Sequence, residues 1–309
     1  MQLEKEVHKA GQFLNLELLA TQIVEGFISG LHKSPFHGFS SEFAEHKVYN
    51  QGESTRHIDW KLFAKTDKLY TKRYEEETNL RCHLIIDNSA SMHFPNKKNQ
   101  SLNDLNKIGF SVLASACLMQ ILKKQRDAVG LSIYSDRYEY YAPEKGSERH
   151  RRMLLHVLEE TIGQPKDKKQ TATYTYLHQI AEKIKRRSLI FFFSDMFQDE
   201  VEEEKLFEAL RHLKFNKHEL VLLHVLDKEK ELDFKFGDEP QQFTDVETGE
   251  KIDLYADNVK DNYQKEVEIY FSHLKLKCAQ YGIKYVPADI NASFNKILST
   301  YLVERQKFV

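Results

Sequence analysis

Three short runs of almost uninterrupted apolar residues constrain the fold of this chain more than any other feature. They read CHLIID at 82–87, SLIFFFSD at 188–195 and ELVLLHVLD at 219–227. Such runs are typical of parallel strands that are covered on both faces. Between them lie longer segments with apolar residues three and four positions apart, the spacing of amphipathic helices. The alternation predicts an α/β fold with a doubly wound, mostly parallel sheet and helices on both faces.

The rest of the chain extends this pattern and divides it into two parts. Residues 1–80 are predicted to form an N-terminal helix and an irregular lobe packed on the main domain. Residues 81–309 are predicted to form the main domain, with an insertion at about 228–256 that contains a β-hairpin around Thr248 and Gly249. Further helices are predicted at 13–31, 102–124, 147–161, 174–186, 201–214, 257–280 and 294–306, and further strands near 69–73 and at 127–135, 137–143 and 282–289.

Composition limits the classes of function. The chain has 309 residues, with 45 Lys and Arg against 47 Asp and Glu, so its net charge of -2 gives no general attraction to nucleic acid. Its three cysteines are widely spaced, which indicates reduced thiols rather than a metal cluster. We find no secretory signal and no run of about 18 consecutive apolar residues. We therefore expect a cytoplasmic protein without a membrane span.

Oxygen-bearing side chains stand where two of the apolar strands end. Asp87 closes the first strand, and Ser89 and Ser91 follow it at alternate positions. Asp195 closes the second strand in the same way. Ligands of an open parallel sheet bind beyond the carboxyl ends of its strands, so we expect these four groups to lie close together.

A third group of hydroxyls lies in QTATYTYLHQIAEKI, at the start of a predicted helix. It offers Thr171, Thr173 and Thr175. Two carboxylates, two serines and one threonine would form a compact all-oxygen site, which suits Mg²⁺ or Mn²⁺. Each residue has an ordinary alternative role as a helix cap or a strand-end residue. If all five residues had only these ordinary roles, their joint occurrence at two strand ends and a helix start would require several independent coincidences.

The sequence argues against an enzyme. It contains no G-x-S-x-G elbow, no H-E-x-x-H pair and no glycine loop that would hold a phosphate. A phosphohydrolase of the haloacid dehalogenase type would need a second aspartate two residues after Asp87, and Ser89 occupies that position. A hydroxyl does not transfer protons at neutral pH as a carboxylate does, so this alternative is disfavoured. His93 is a less favoured candidate ligand near Ser91.

The segment DNSASM resembles the D-x-S-x-S pattern that opens the metal-ion-dependent adhesion site of the von Willebrand factor A fold. That family completes its site with a threonine before a helix and an aspartate that closes a later strand. Thr171 matches the threonine because Leu177 follows it by six residues, where the family's helix usually has a leucine, and Thr173 is the alternative. Asp195 in FFFSD matches the aspartate.

Residues 49–77, YNQGESTRHIDWKLFAKTDKLYTKRYEEE, resemble the hallmark segment of the bacterial domain-of-unknown-function family fifty-eight. Members of that family join an R-x-I-D-W segment directly to a von Willebrand A-like domain. The later segments HVLDKEKELDF, FTDVETGEKI and ILSTYLVERQK are similar too, so the resemblance runs from about residue 38 to residue 309. Lys47 departs from the pattern, because the family more often has an arginine there.

The hallmark segment also combines opposite charges with the chain's only tryptophan. Its relevant residues are Arg56, Asp59, Trp60 and Lys61. We expect an ion pair packed on the indole, which would fix the N-terminal lobe to the sheet. The alternative is a partner-binding surface, because Trp and Arg are enriched at interface hot spots.

Together, the residues and the resemblance imply a non-enzymatic protein-interaction module. Ser89, Ser91 and Thr171 would coordinate Mg²⁺ or Mn²⁺ directly, and Asp87 and Asp195 would hold it directly or through waters. An Asp or Glu carboxylate of a client protein would be the last ligand. The resemblance further implies a MoxR-type AAA+ ATPase as a partner in the assembly or activation of other proteins. The alternative is a metal-independent structural adaptor of a membrane complex.

Overall fold

The computed structural model describes most of the chain in short and long ranges. The described residues are 15–32, 46–48, 60–66, 69–72, 80–97, 100–101, 104–135, 138–162, 173–185, 187–197, 200–215, 217–236, 241–244, 251–254 and 256–306.

The chain forms two compact units. Residues 25–79 form one, and residues 80–309 together with the residues up to Val24 form the other. The first helix, α1 (Leu16–His32), begins in the larger unit, where the Leu16 backbone N–H donates to Glu159 Oε1 at 3.2 Å. The predicted division also has a boundary next to residue 80, but it groups the residues up to Val24 with the N-terminal part. The predicted packing of that part on the main domain stays a prediction.

The smaller unit contains a short antiparallel pair and a short helix. Strand β1 (His46–Val48) pairs with β2 (Tyr70–Lys72), and α2 (Trp60–Thr66) lies between them in the chain. The strand predicted near residues 69–73 is confirmed by β2. The predicted ion pair of Arg56 and Asp59 lies outside the described residues.

A six-stranded mixed sheet forms the centre of the larger unit. Its strands lie in the order β10-β7-β6-β3-β4-β5, and every neighbouring pair is parallel except β4 and β5. The predicted α/β fold with a mostly parallel sheet is therefore confirmed. The strands are β3 (Arg81–Asp87), β4 (Ala128–Tyr134), β5 (Tyr138–Lys145), β6 (Leu189–Ser194), β7 (Glu219–Leu226) and β10 (Lys284–Asp289).

Helices connect these strands, and a separate hairpin follows β7. The helices of the larger unit are α3 (Lys107–Lys124), α4 (Glu148–Ile162), α5 (Thr173–Lys183), α6 (Glu200–Phe215), α7 (Ala256–Gln280) and α8 (Asn295–Arg305). The predicted hairpin is confirmed by β8 (Gln241–Thr244) and β9 (Lys251–Leu254), which pair antiparallel. Its predicted turn at Thr248 and Gly249 lies outside the described residues.

The apolar runs form strands that are buried on both faces. On one face, Ile85 and Phe192 belong to a core cluster with residues of α5, α6 and α7. On the other face Phe191 is also fully buried, and its ring lies 6.4 Å from that of Tyr301 in α8. Because both faces are covered, the strand sequences need no alternation of polar and apolar residues.

Two local features differ from the prediction. Helix α3 begins at Lys107 rather than at residue 102, because the side chain of Asn106 accepts a hydrogen bond from the Gly109 N–H at 2.8 Å and caps the helix. After β7 the chain forms one π-helical turn, Lys228–Leu232, for which the sequence shows no local signal.

Candidate metal-binding site

The candidate site lies where the order of the sheet reverses. The chain passes from β3 to β4 on one side and later returns to place β6 on the other side of β3. Asp87 is the last residue of β3, and Asp195 directly follows β6. The two strands are parallel, with Ile86 opposite Phe193, so both carboxylates emerge at the same edge. This topological switch point is where open α/β sheets bind ligands.

The Asp87 carboxylate is buried and held by two hydrogen bonds. The Ser89 backbone N–H donates to Oδ1 at 2.9 Å, and the Ser194 hydroxyl donates to Oδ2 at 2.9 Å. Burial and, next, the nearby charge of Asp195 raise the pKa of Asp87 to about 6, although these hydrogen bonds act in the opposite direction. No cationic side chain in the part of the chain that the structure describes pairs with the Asp87 carboxylate.

The two predicted serines lie beside each other and beside Asp87. Ser89 Oγ and Ser91 Oγ are 3.2 Å apart, and Ser91 lies in the 3₁₀ turn Ala90–His93 that follows β3. Ser89 also contacts Asp87 through its backbone. The turn therefore brings three of the predicted donors into one cluster, which is the arrangement that the D-x-S-x-S spacing predicts.

The predicted threonine is not described. Thr171 lies outside the described residues, and Thr173 is the first residue of α5, with a side chain that is also outside the description. The choice between them as a ligand stays a prediction. Leu177, which guided that choice, is fully buried in the core cluster.

Asp195 already has a cationic partner within the chain. The Lys107 ammonium donates to Asp195 Oδ2 at 2.8 Å and to Glu231 Oε1 at 2.7 Å. Only 1% of the Lys107 side chain is exposed, and its nitrogen lies 5.7 Å from the ring centre of Phe94 and 5.3 Å from that of Phe197. Burial alone lowers the pKa of Lys107, but the two carboxylates raise it above its ordinary value. Lys107 is therefore a charged ammonium.

Glu231 reaches the site from the π-helical turn after β7. Its Oε2 accepts from the Asp227 backbone N–H at 2.7 Å, and its backbone carbonyl accepts from the Tyr263 hydroxyl at 3.0 Å. Burial raises the pKa of Glu231, while Lys107 acts in the opposite direction. Both carboxylate oxygens of Glu231 thus accept hydrogen bonds from donors of this chain.

The loop that carries Asp195 is fixed by three side chains. Met196 has a left-handed φ of 56°, its N–H donates to Ser194 Oγ at 3.1 Å, and its carbonyl accepts from the Tyr270 hydroxyl. Burial lowers the pKa of His224 to about 4, so its ring is neutral. Its Nε2–H donates to the Asp195 carbonyl at 2.9 Å. The backbone of Asp195 is therefore held in place before any ligand arrives.

Asn88, which directly follows Asp87, contacts two further polar side chains. Asn88 donates from Nδ2 to Glu139 Oε2 at 2.9 Å, and its Oδ1 lies 3.0 Å from His93 Nε2. His93 is thus engaged with Asn88. The hydroxyl of Tyr134 is also buried. Burial, and next the charge of Asp87, raise the pKa of Tyr134.

The described donors suit a hard divalent cation in chemistry and in charge. They are all oxygen atoms, as Mg²⁺ and Mn²⁺ prefer. Lys107 pairs with the carboxylates of Asp195 and Glu231, and the Asp87 carboxylate adds a third negative group beside Asp195. Within the described parts of the chain, no three His, Cys, Asp or Glu side chains are grouped to hold a metal ion. The predicted set contains only two such residues and depends on hydroxyls for the rest.

Three residues of the site were not predicted from the sequence: Lys107, Glu231 and Ser194. Ser194 had a usable signal, because it directly precedes Asp195 at the end of an apolar strand. Lys107 lies 88 residues from Asp195 and 124 from Glu231 in the chain. No local spacing pattern connects residues at such distances.

One protein family and several individual proteins are similar to this chain. A family model described as "Protein of unknown function DUF58" matches residues 45–269. The uncharacterized proteins Rv1480 of Mycobacterium tuberculosis and Mb1516 of Mycobacterium bovis are each 31% identical to it over 85 residues. That alignment covers 28% of this chain and 27% of each relative, so the chain spans about a quarter of the relatives' length.

Two solved structures show weak overall similarity. The conserved hypothetical protein BatB from Bacteroides thetaiotaomicron aligns over 74% of this chain and 99% of its own, with 14% identity and a TM-score of 0.44. The PilB minor pilin from Streptococcus sanguinis aligns over 78% of this chain and 64% of its own, with 9% identity and a TM-score of 0.42. Among the described helices, none combines the length and the apolar character that a membrane span requires.

Proposed function

The chain belongs to the DUF58 family, and on that premise we propose that it is a non-enzymatic protein-interaction module whose binding depends on a divalent cation. One observation carries this proposal. Asp87, Ser89 and Ser91 form a cluster of oxygen donors at the switch point of the sheet, next to Asp195. The cluster has more negative than positive charge, so a cation is the ligand that it favours.

Only two of the five proposed ligands of Mg²⁺ or Mn²⁺ would be charged. Ser89, Ser91 and Thr171 would coordinate through hydroxyl oxygens, and Asp87 and Asp195 directly or through waters. An ion held in this way supplies an open position for the carboxylate of a partner's Asp or Glu. The role of the chain is to orient these donors, and the hydrogen bonds from Ser194 to Asp87 and from His224 to the Asp195 carbonyl support that role.

The proposed partners follow from the family resemblance. We place the protein in the cytoplasm, where a MoxR-type AAA+ ATPase would act with it on a client protein that offers the carboxylate. The pair would assist the assembly or activation of that client. The absence of a second aspartate at position 89 supports a binding role over phosphate hydrolysis, because Ser89 cannot serve as the acid or base.

A second candidate function is a metal-independent structural adaptor of a membrane complex. The ion pair between Lys107 and Asp195 favours it, because one of the predicted metal ligands already has a cation at 2.8 Å. In that case the lysine would complete the site, and partner binding would not respond to a chelator.

A pull-down from the native cell tests the proposal and separates the two candidates. The tagged full chain is used as bait, with Mg²⁺ or with a chelator, and the bound proteins are identified. We expect a set of partners that Mg²⁺ retains and the chelator removes, and that Asp87→Ala loses. Asp289→Ala is the matched control, because Asp289 also closes a parallel strand of this sheet. Partners that remain with the chelator and with Asp87→Ala would instead support the adaptor.

A further inference from the structure

We infer that Lys107 is a resident counter-cation that competes with the divalent metal for Asp195 and thereby lowers the metal affinity of the site. This inference rests on the proposed function, since it concerns the regulation of the same site. It assigns a role to a residue that no motif of the sequence indicates.

Hydrogen bonds hold both the backbone and the ammonium of Lys107. The Lys107 backbone N–H donates to the Phe94 carbonyl at 3.0 Å, and its carbonyl accepts from the Ser111 hydroxyl at 2.8 Å. Lys107 is also the first residue of α3, which Asn106 caps. The ammonium then lies between Asp195 and Glu231, almost completely removed from solvent. A lysine held in this way cannot move into water without losing two buried ion pairs.

The charges explain why the ammonium and the metal compete. A divalent ion bound through Asp195 would lie near a buried positive charge, and repulsion between such charges is strong where water is excluded. The same ammonium stabilises the metal-free chain, because it offsets the repulsion between the buried carboxylates of Asp195 and Glu231. Removal of the lysine charge is therefore expected to have two opposite effects: weaker folding without metal and tighter metal binding.

A purely structural role for Lys107 predicts a different outcome. If the ammonium only packs and pairs, its removal lowers the stability of the chain but does not increase the metal affinity. The gain in affinity is thus the readout that separates competition from packing.

The test is isothermal titration of the full chain with Mn²⁺ and with Mg²⁺, comparing wild type with Lys107→Met. We expect Lys107→Met to bind at least about tenfold more tightly and to have a lower melting temperature in a chelator. Lys230→Met is the matched control, because the Lys230 ammonium also lies 5.7 Å from the Phe94 ring but belongs to the turn after β7. It should change the affinity far less than Lys107→Met.

The titration tests two claims separately: that the site binds a divalent cation, and that Lys107 competes with this cation. Equal or weaker binding by a folded Lys107→Met, with clear binding by wild type, would overturn the inference and leave the proposed function intact. No binding by either protein would contradict both. If Lys107→Met does not fold without metal, Glu231→Gln replaces it. Glu231→Gln removes one of the two carboxylates that pair with Lys107, so the ammonium then pairs with Asp195 alone and competes more strongly with the metal. We therefore expect several-fold weaker metal binding. Unchanged metal binding would overturn the inference.

Discussion

Asp87 is the residue at which the electrostatics of the site are most unfavourable. Its carboxylate is buried, and its pKa rises from an ordinary value of 3.8 to about 6, first through burial and then through Asp195. Lys107 pairs with Asp195 and Glu231 rather than with Asp87. A cation bound near Asp87 would relieve this destabilisation, and this connects the fold to the proposed ligand.

The pH dependence of stability follows from the Asp87 pKa. Between its ordinary value of 3.8 and about 6, the folded chain binds more protons at Asp87 than the unfolded chain. The contribution of Asp87 to the free energy of unfolding therefore falls as the pH rises through this range. We predict that Asp87→Asn stabilises the metal-free protein by about 3 kcal/mol above pH 6 and that this gain disappears near pH 4.

Chemical denaturation of wild type and Asp87→Asn across this pH range, with a chelator, measures the effect. The comparison of two chains that differ by one group removes the contributions of the other titrating residues. Repeating it with excess Mg²⁺ should reduce or reverse the difference, because only wild type would then gain the ion. A difference that is the same at all pH values would contradict the assigned environment of Asp87.

At the scale of elements, short turns place the site residues. The 3₁₀ turn Ala90–His93 brings Ser91 next to Ser89, and the loop after β6 holds Met196 in a left-handed conformation. A non-glycine residue in that region costs about 1 kcal/mol or more. The hydrogen bonds from Tyr270 and to Ser194 hold it there. The strained conformation of Met196 indicates that this loop fixes the position of Asp195 at a cost in stability.

The sheet also contains a buried polar network away from the site. His83 Nδ1 lies 2.6 Å from Glu144 Oε1, and its Nε2 lies 2.7 Å from Ser132 Oγ. Burial raises the pKa of Glu144, but its interaction with His83 brings the net value below the ordinary one. The side chains of His83 and Glu144 are fully buried, so we assign the network to the joining of β3, β4 and β5.

Gly130 gives this network the space that it needs. A Cβ at this position would lie 2.5 Å from His83 Nδ1 and 2.9 Å from the Ala142 carbonyl oxygen. We predict that Gly130→Ala lowers the free energy of unfolding by about 2 kcal/mol or more. Gly146→Ala is the control, since a Cβ there meets nothing within 4 Å. Urea denaturation of both variants checks this, and equal stabilities would show that the network tolerates the added methyl group.

The sequence revealed those elements and residues that local patterns encode. The strands were predictable because burial on both faces requires uninterrupted apolar runs. The clustering of Asp87, Ser89 and Ser91 was predictable because Asp87 ends a strand and the two serines follow it within four residues. The start of α3 was predicted too early, because the cap at Asn106 interrupts a periodic pattern. Lys107 was not predictable, because its partners are brought to it only by the tertiary fold.

At the scale of the whole molecule, the α/β architecture and the family were predictable, and the arrangement of the chain into units was less so. The family model matches residues 45–269, which include parts of both compact units. The beginning of α1 joins the larger unit, where Leu16 donates to Glu159. That contact joins residues 143 positions apart, which no periodicity reveals.

The central claim is that Asp87, Ser89, Ser91 and Asp195 hold a divalent cation. Crystals of the full chain grown with Mn²⁺ and measured at a wavelength with strong manganese anomalous scattering test it most directly. We predict one anomalous peak at the carboxyl ends of β3 and β6, within about 2.2 Å of the Ser89 and Ser91 hydroxyl oxygens. Density at these residues with no anomalous peak, and with Lys107 still bound to Asp195, would contradict the claim.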